Sequence, residues 1–582
     1  MTTAQHDRPA PATYRLAREQ FAALATGGGD AETVRFLAGA EFSRRLLLLQ
    51  VLCDEAVLRM TPDDPLPSVE HAWNVMALAQ QRDPQGFLAA LMYPHIGNWA
   101  AYTLRQHLGT ETDAPAWTDF GQLHAVALVA AARCGVDWET RLPLHRGRVT
   151  LPGLGQARFE YATDRWDAAH AQVDGGRIRL WHDGTAVAVP ADHRQDAAGW
   201  WGLRELGPGL RVALDDIDPF RNLAEPVRPD RLTTSEVDTW RSLLQQAWTL
   251  LEHDEPTAAE ALAAGVSSLS PLARADQQDD EEVRSASTAE SFGAVLLSSP
   301  TTAADFAAAL VHEFQHIKLG GLMHLCDLNA DDGAANLYAP WRDDPRPLGG
   351  LLQGVYAFLG IARFWRVRHR SKSGAERRSG LYAYAYARAQ AAEGLEITRA
   401  SGGLTSLGVE FTDGLAATIG RWSDDTIPAE IERLVRIATT AHRTTWRIRH
   451  RRPTAEAVAE VAKAWSRGHT PDEALPGAFS IEPPAEPPSL STVWTNPIRR
   501  ALHTPPLPTT PAAALITGDV TTAKAGFLDR VIAAPNDIFG WVGLAISCAE
   551  LNQAKELLDR PDLIRAAYLT LRIPSLLTNW LA

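Results

Sequence analysis

The sequence predicts an α+β fold that is predominantly α-helical, and three features of its 582 residues support this. Apolar residues recur at helical spacing through most of the chain. Short alternating stretches, bounded by turn signals such as Asp183-Gly184, are confined to about residues 136–225. Prolines crowd residues 468–513 and disfavour a packed element there. We therefore expect a helical core with a small β-rich segment and a helical C-terminal part.

These patterns divide the chain into five predicted parts. A chain of this length exceeds what one hydrophobic core accommodates, so several parts are expected. In order, they are an N-terminal helical region (1–135), a β-rich segment (136–225), a helical region with the principal motif (226–467), a proline-rich linker or strap (468–513) and a C-terminal helical region (514–582).

Composition limits the partners and the compartment. The formal net charge is -14, from 56 Lys and Arg against 70 Asp and Glu, which argues against nucleic-acid binding by bulk electrostatics. No uninterrupted apolar run is long enough to span a bilayer, and the N-terminus lacks the regions of a signal peptide. The four cysteines stand singly, which disfavours a disulfide framework. We predict a cytoplasmic protein that binds neither nucleic acid nor membrane.

The motif His312-Glu313-x-x-His316 is the strongest chemical signal in the chain. On an α-helix, residues four apart lie on the same face, so the two imidazoles can reach one metal ion. Thr302 and Asp305 resemble a capping box at the start of such a helix. The alternative is a buried helix with two core histidines, but chance matches to the pattern are expected in only about a few per cent of chains of this size. Metal binding is therefore favoured.

The motif supports two different chemistries. With Zn2+, Glu313 would be the general base of peptide hydrolysis. With Fe(II), the two histidines and a third ligand leave positions for a 2-oxo acid and for oxygen. Leu319 and Leu322 stand where a metzincin carries Gly and His, and the His-x-Asp pair of jelly-roll oxygenases is absent, so a jelly-roll fold is not expected. Candidate third ligands lie further along the chain, at His324, Gln353, Glu393 and Glu396.

Three residues are candidate contacts for a peptide substrate. Residues 293–297 predict a short strand that leads into the motif helix. Such a strand either pairs with an extended peptide or lies inside a sheet, and both possibilities stay open. Phe292 and Ser298 flank this strand, and Trp341 lies in a proline-rich segment beyond the helix.

The segment 338–347, Tyr-Ala-Pro-Trp-Arg-Asp-Asp-Pro-Arg-Pro, is stiffened by its prolines. Arg342 and Arg346 therefore project from a fixed loop, and a rigid arginine suits a carboxylate that it grips through two parallel hydrogen bonds. The alternative is that both arginines pair with Asp343 and Asp344.

A run of acids follows a predicted strand near residue 214. Asp215, Asp216 and Asp218 have the ligand chemistry for a hard cation, but EF-hand spacing is missing. We expect a solvated turn that caps the next element.

Taken together, the motifs resemble a known family. The chain is similar, from about residue 20 to its C-terminus, to the HExxH-type peptide-modification proteins of bacterial natural-product clusters, which are associated with FxSxx-type precursor peptides. Members of that family are regarded as 2-oxoglutarate-dependent peptide β-hydroxylases. The resemblance is carried by Tyr93-Pro-His-Ile-Gly-Asn-Trp99, Leu151-Pro-Gly-Leu-Gly155, Leu214-Asp-Asp-Ile-Asp-Pro219, Phe292-Gly-Ala-Val295, Leu310-Val-His-Glu-Phe-Gln-His316 and Ala339-Pro-Trp-Arg-Asp-Asp-Pro-Arg-Pro347.

The resemblance implies an Fe(II) site at His312 and His316, with 2-oxoglutarate and O2 as co-substrates and the arginine loop beside them. It implies a ribosomally made precursor peptide as partner, together with other enzymes encoded in the same cluster. Glu313 would then orient a neighbouring group. The family pattern carries His in a Leu-His-Gly context after the arginine loop, where this chain has Leu352-Gln353-Gly354. A zinc metallopeptidase and a catalytically weakened peptide-binding protein are the alternatives.

Overall fold

Helices dominate the chain. A computed structural model describes residues 14–109, 115–160, 165–222, 225–272, 284–330, 333–469, 479–482, 493–503 and 509–581. It is 61% helical and 13% strand, which confirms the predicted α+β class with predominant helix. No helix among these residues is long and apolar enough to cross a membrane. The chain divides into two compact units, one comprising the residues up to 24 with 28–326 and the other 25–27 with 327–582.

The first unit begins with helices whose starts are fixed by side-chain caps. Asp30 accepts a hydrogen bond from Thr33 N, and Asp83 does the same for two amides after Pro84. The helices of this unit are α1 (Arg18–Ala25), α2 (Ala31–Arg59), α3 (Val69–Arg82), α4 (Pro84–Leu91), α5 (Pro94–Gly109), α6 (Ala116–Phe120), α7 (Gln122–Cys134), α8 (Thr234–Asp254), α9 (Pro256–Gly265) and α10 (Ala303–Met323).

A seven-stranded antiparallel sheet packs against the almost wholly buried helix α7. The hairpin turn at Asp183-Gly184 has positive φ at both residues, as its sequence predicts. The strand order is β6-β5-β4-β1-β2-β3-β7, which is not the pair of facing sheets of a jelly roll. The strands are β1 (Trp138–His145), β2 (Arg148–Leu151), β3 (Gly155–Arg158), β4 (Trp166–Asp174), β5 (Arg177–His182), β6 (Thr185–Ala188) and β7 (Trp200–Gly202).

A second, mixed sheet of the first unit leads directly into α10. Its order is β11-β12-β10-β9-β8, in which β9, β10 and β12 are parallel. Helices α8 and α9 connect β9 to β10, and α10 follows β12. The strands are β8 (Arg204–Leu206), β9 (Val212–Leu214), β10 (Ser268–Pro271), β11 (Ser285–Ala286) and β12 (Ala294–Leu297).

The acids that follow β9 are buried, so the expectation of a solvated turn is wrong. Asp215, Asp216 and Asp218 are 0%, 1% and 4% exposed. Asp215 accepts two backbone N–H bonds and the Tyr93 hydroxyl, and Asp216 pairs with Arg231 at 2.8 Å. The capping part of the expectation is correct, because Asp218 caps the short 3-10 turn that follows it.

The second unit is built around a hairpin of two long helices, α11 and α12, on which α14 packs. Most of the predicted proline-rich linker, namely 470–478, 483–492 and 504–508, lies outside the described residues. The elements are α11 (Leu348–Arg368), α12 (Gly374–Ala400), α13 (Ser406–Gly420), α14 (Ala429–His450), β13 (Arg451–Pro453), α15 (Ala455–Ser466), β14 (Phe479–Ile481), α16 (Thr495–His503), α17 (Pro511–Thr517), α18 (Val520–Ala533), α19 (Ile538–Glu550), α20 (Glu556–Asp559), α21 (Pro561–Leu571) and α22 (Pro574–Leu581).

Candidate metal centre

The motif lies on α10, which begins where its sequence predicts. Thr302 caps the helix by accepting a hydrogen bond from Asp305 N at 3.1 Å, and its hydroxyl donates to the Asp305 carboxylate at 2.7 Å. Phe306 packs edge-to-face on Trp240 of α8, with 5.7 Å between ring centroids. Close packing of this kind holds the helix, and with it the motif, in a fixed position within the first unit.

The two histidines of the motif converge on one point. His312 Nε2 and His316 Nε2 are 3.2 Å apart, and their ring planes are inclined at 81°. Two bonds of about 2.1 Å to one metal, at about 100° to each other, separate two nitrogens by roughly 3.2 Å. Burial lowers the pKa of His312 well below its ordinary value, and the nearby His316 lowers it further. The imidazole is therefore neutral, which is the form that binds a metal.

Glu313 lies beneath the histidines and is only 1% exposed. Ser285 Oγ donates a hydrogen bond to Glu313 Oε1 at 2.6 Å, and Ser287 Oγ donates to Glu313 Oε2 at 2.5 Å. Glu313 Oε1 is also 3.8 Å from His312 Nε2. Both carboxylate oxygens are thus hydrogen-bonded to the segment around β11, which fixes the carboxylate beside the His312 imidazole.

His324, the alternative third ligand, lies at the C-terminal end of α10. Its Nδ1 is 3.0 Å from a carboxylate oxygen of Glu41. Eight residues of helix separate it from His316, which corresponds to about 12 Å along the axis. This distance is too long for two ligands of one ion. Gln353, Glu393 and Glu396 stay predicted candidates, of which Gln353 is preferred.

Gln353 lies on α11 in the second unit and is half-buried. An amide side chain offers an oxygen or a nitrogen, and is a weaker metal ligand than an imidazole. Among the described residues, no group of three or more His, Cys, Asp or Glu is arranged to hold a metal ion.

The two arginines of the proline-rich loop meet on one carboxylate. Arg342 Nε donates to Asp344 Oδ1 at 2.9 Å, and Arg346 Nη1 donates to Asp344 Oδ2 at 3.1 Å. Although burial opposes it, the contacts to these arginines leave the pKa of Asp344 below its ordinary value. Asp343 pairs instead with Arg449 at 3.1 Å. The pairing alternative is therefore correct for Asp344, and it fixes both guanidinium groups.

Trp341, in the same loop, is held in a slot between two helices. A Cβ at Gly354 of α11 would lie 2.1 Å from Trp341 Cζ2, and one at Gly394 of α12 would lie 2.7 Å from its Cη2. The indole also stacks on Phe358, with 4.8 Å between ring centroids. Trp341 is partly exposed.

Phe292 and Ser298 have structural partners in the first unit. Phe292 is 5% exposed and lies against Gly321 of α10, where a Cβ would come within 3.1 Å of its ring. Ser298 Oγ accepts a hydrogen bond from Arg284 N at 3.0 Å. The strand between them, β12, pairs with β10 on one side and with β11 on the other. It is an internal strand, which was the second of the two possibilities.

Ser285 and Ser287, the partners of Glu313, belong to no motif of the sequence. The only signal for them is their spacing, because residues two apart in an extended segment point to the same side. No protein-family model matches the chain, and no curated protein is significantly similar to it.

Proposed function

We propose that the protein is an Fe(II)- and 2-oxoglutarate-dependent oxygenase that β-hydroxylates a residue of a ribosomally made precursor peptide in natural-product biosynthesis. The environment of Glu313 supports this best. Both of its oxygens accept serine hydroxyls, whereas the general base of a hydrolase needs an oxygen directed at water. The two convergent imidazoles supply the metal site, and the family resemblance supplies the reaction and the peptide.

The proposed roles follow from the chemistry of each side chain. His312 and His316 are the proposed metal ligands, and Glu313, whose Oε1 lies 3.8 Å from His312 Nε2, is the proposed group that orients a water or that histidine. The chemistry that Fe(II) supplies when bound is oxygen activation at the expense of 2-oxoglutarate, which leaves as succinate and carbon dioxide. Gln353 is the proposed third ligand.

Arg342 and Arg346 are the proposed anchors for the distal carboxylate of 2-oxoglutarate. Each guanidinium has five N–H donors, and Asp344 accepts one from each. The remaining donors point from a loop whose arginines are already fixed, so binding a second carboxylate immobilises little more of the chain. Trp341, Phe292 and Ser298 stay the predicted contacts of the peptide. A cytoplasmic location belongs to the same proposal, and the four cysteines, which stand singly in the sequence, suit a reducing compartment.

The direct test is the mass of the peptide. Protein purified without oxygen is incubated with Fe(II), 2-oxoglutarate, oxygen and the precursor peptide encoded beside it, and succinate is assayed in parallel. We expect a gain of one oxygen atom that requires 2-oxoglutarate and is lost in His312→Ala and His316→Ala. Gln353→His should bind Fe(II) more tightly. An unchanged peptide that co-elutes with the protein would instead indicate the weakened binding protein.

A zinc peptidase is the second candidate, because Glu313 Oε1 lies only 3.8 Å from His312 Nε2. A water on the metal would then be within reach of a displaced carboxylate. This candidate predicts peptide fragments with Zn2+ and without oxygen, and complete loss of cleavage in Glu313→Gln with metal retained. The oxygenase predicts that Glu313→Gln keeps measurable hydroxylation. Fragments in the first assay would overturn the oxygenase.

A further inference from the structure

One face of the seven-stranded sheet carries an arginine patch, which we define as Arg148, Gln156, Arg158 and Trp201. Arg148 on β2 is directly opposite Arg158 on β3, and Gln156 on β3 is directly opposite Trp201 on β7. Residues opposite each other on neighbouring strands point to the same face, as do residues two apart on one strand. All four side chains therefore share one face. The other face of these strands is the apolar core, with Val149, Ala157 and Trp200 buried.

The two arginines of this patch have no carboxylate partner in the part of the chain that the structure describes. Among the described residues, neither Arg148 nor Arg158 forms an ion pair with a carboxylate, although like charges placed directly opposite destabilise a sheet. Burial and then the charge of Arg158 lower the pKa of Arg148. The neighbouring Arg231 contrasts with them, because it pairs with Asp196 at 2.6 Å and with Asp216 at 2.8 Å.

The patch is also built in a defined geometry. The Arg158 guanidinium carbon lies 4.0 Å from the centroid of the Trp201 ring, and that of Arg148 lies 5.1 Å from it. Arg148 Nη1 donates to Gln156 Oε1 at 3.1 Å, and Gln156 is only 2% exposed. Gln156 Nε2 donates in turn to Thr150 Oγ1 at 3.0 Å. Arg158 Nε is buried and has no hydrogen-bond partner among the described residues. The Trp201 ring and the Gln156 amide therefore hold the two guanidinium groups in place, and Arg158 Nε keeps a donor that no described residue uses.

We propose that the arginine patch binds an oxyanion, the group that a carboxylate and a phosphate share. Planar guanidinium groups bind such oxygens through paired, charge-assisted hydrogen bonds, and stacking on an indole leaves their edges available. An oxyanion supplies the negative charge that the two facing arginines lack. The patch shares no residue with the candidate metal centre, and the proposal does not depend on the proposed oxygenase activity.

Calorimetric titration of the full-length, metal-free protein tests the site at low ionic strength. Two probes are used, inorganic phosphate and an oligoglutamate peptide, because they represent the two sources of an oxyanion. The variants Arg148→Gln and Arg158→Gln each remove one charge and keep a polar side chain. Arg179→Gln is the matched control, since Arg179 is an exposed arginine on β5 of the same sheet. We expect each patch variant to weaken binding by about tenfold or more, and the control to bind as the wild type does.

The outcome of each arm is decisive. Binding of phosphate alone identifies a small phosphate as the ligand, and binding of oligoglutamate alone identifies an acidic peptide. Either result supports the site when the patch variants lose it. Wild-type protein that binds neither probe, or variants that bind as tightly as the control, would overturn it.

Thermal unfolding without probe separates binding from a merely structural role. If the arginines serve a ligand, Arg158→Gln relieves the repulsion with Arg148, so its melting temperature stays equal to that of the wild type or rises. If they serve only to stack on Trp201, the melting temperature falls and no probe restores it. Arg148→Lys keeps the charge and loses the planar geometry, so it should retain salt-dependent binding at reduced affinity even if a Gln variant folds poorly.

Discussion

At the scale of single residues, the environment of Glu313 decides how the motif is interpreted. The spacing of His312, Glu313 and His316 is compatible with hydrolysis and with oxidation. The hydroxyls of Ser285 and Ser287 favour oxidation, because they turn the carboxylate into a fixed, hydrogen-bonded support. A buried carboxylate that loses such partners is left partly unsatisfied, and this makes the contact testable.

We predict that Ser285→Ala and Ser287→Ala weaken metal binding by about 10- to 100-fold, because they loosen a group that orients the ligating imidazoles. Each should also lower the free energy of unfolding by about 1–3 kcal/mol. Metal titration and urea unfolding measure the two effects. Ser235→Ala, at an exposed position on α8, is the control and should change neither. Unchanged metal affinity in both Ser285→Ala and Ser287→Ala would show that Glu313 has no orienting role.

A second residue-scale feature is the buried carboxyl group of Asp218. Burial, and then the charge of Asp215, raise its pKa to about 8 from an ordinary value of 3.8. His95 and the Tyr93 hydroxyl contact Asp215, and Arg221 lies on the following turn. Burial lowers the pKa of His95 to about 4, so this imidazole is neutral in the folded protein at neutral pH.

We predict that the contribution of Asp218 to stability falls as the pH rises from 6.5 to 8. In this interval the folded protein holds a proton on Asp218 that the unfolded chain has released. The titration of the histidines, His95 included, cancels in the difference between the wild type and Asp218→Asn. The slope should approach about 1.4 kcal/mol per pH unit at most. Asp218→Asn should remove this pH dependence, because an amide does not titrate. The variant should still fold, since the amide oxygen can accept the hydrogen bond from Phe220 N. Asp63→Asn, at an exposed position, should show the same pH dependence of stability as the wild type. Urea unfolding of the wild type and both variants at the two pH values measures the free energies of unfolding that are compared.

Contacts of the site could be predicted when the two residues lie close together in the sequence, and not when they lie far apart. The cap of α10 by Thr302 and the pairing of His312 with His316 follow from spacings of three and four residues, so local rules found them. The contact of Ser285 with Glu313 spans 28 residues, and that of Tyr93 with Asp215 spans 122. Such contacts depend on how strands and helices pack, which no local pattern specifies.

At the scale of elements, the hairpin of α11 and α12 shows why a glycine follows Gln353. Gly354 lies where Trp341 enters, and only a residue without a side chain leaves room for the indole. Sequence analysis placed this glycine next to a candidate ligand, and packing gives it a separate role. Similarly, the predicted strand before α10 exists as β12, but its neighbours β10 and β11 come from distant or unpredicted segments.

We predict that Gly354→Ala destabilises the protein by about 1–3 kcal/mol, because a Cβ would overlap the Trp341 ring. Helix propensity alone would stabilise this variant by up to about 1 kcal/mol, so the sign of the change is informative. Gly350→Ala on the same helix is the control. Its Cβ would lie 3.4 Å from the flexible side chain of Arg346, so it should be neutral or stabilising. Thermal unfolding of both variants measures the change in stability. A stabilised Gly354→Ala would contradict the packing of the Trp341 ring against Gly354.

At the scale of the whole molecule, contacts divide the chain into two units, whereas composition predicted five parts. The five boundaries stay predictions, since composition detects changes of pattern and not which helices pack together. Each unit has buried apolar residues of its own. Because each has its own core, unfolding of the chain need not be two-state.

We predict more than one unfolding transition in scanning calorimetry. Two variants can show which transition belongs to which unit. Ser285→Ala should lower the transition of the first unit, and Gly354→Ala that of the second. Zn2+, used as a redox-inert substitute for Fe(II), should raise the transition that Ser285→Ala lowers, because His312 and His316 belong to that unit. At 100 times its dissociation constant, a ligand adds about 2.7 kcal/mol.

The metal-dependent shift should vanish when both histidines are replaced by alanine, whatever the melting temperature of that variant without metal. A shift that persists in the double variant would mean that the ion binds elsewhere. A shift confined to the transition that Gly354→Ala lowers would contradict a site on α10. The measurement needs neither peptide nor oxygen, so it tests the metal centre separately from the proposed reaction.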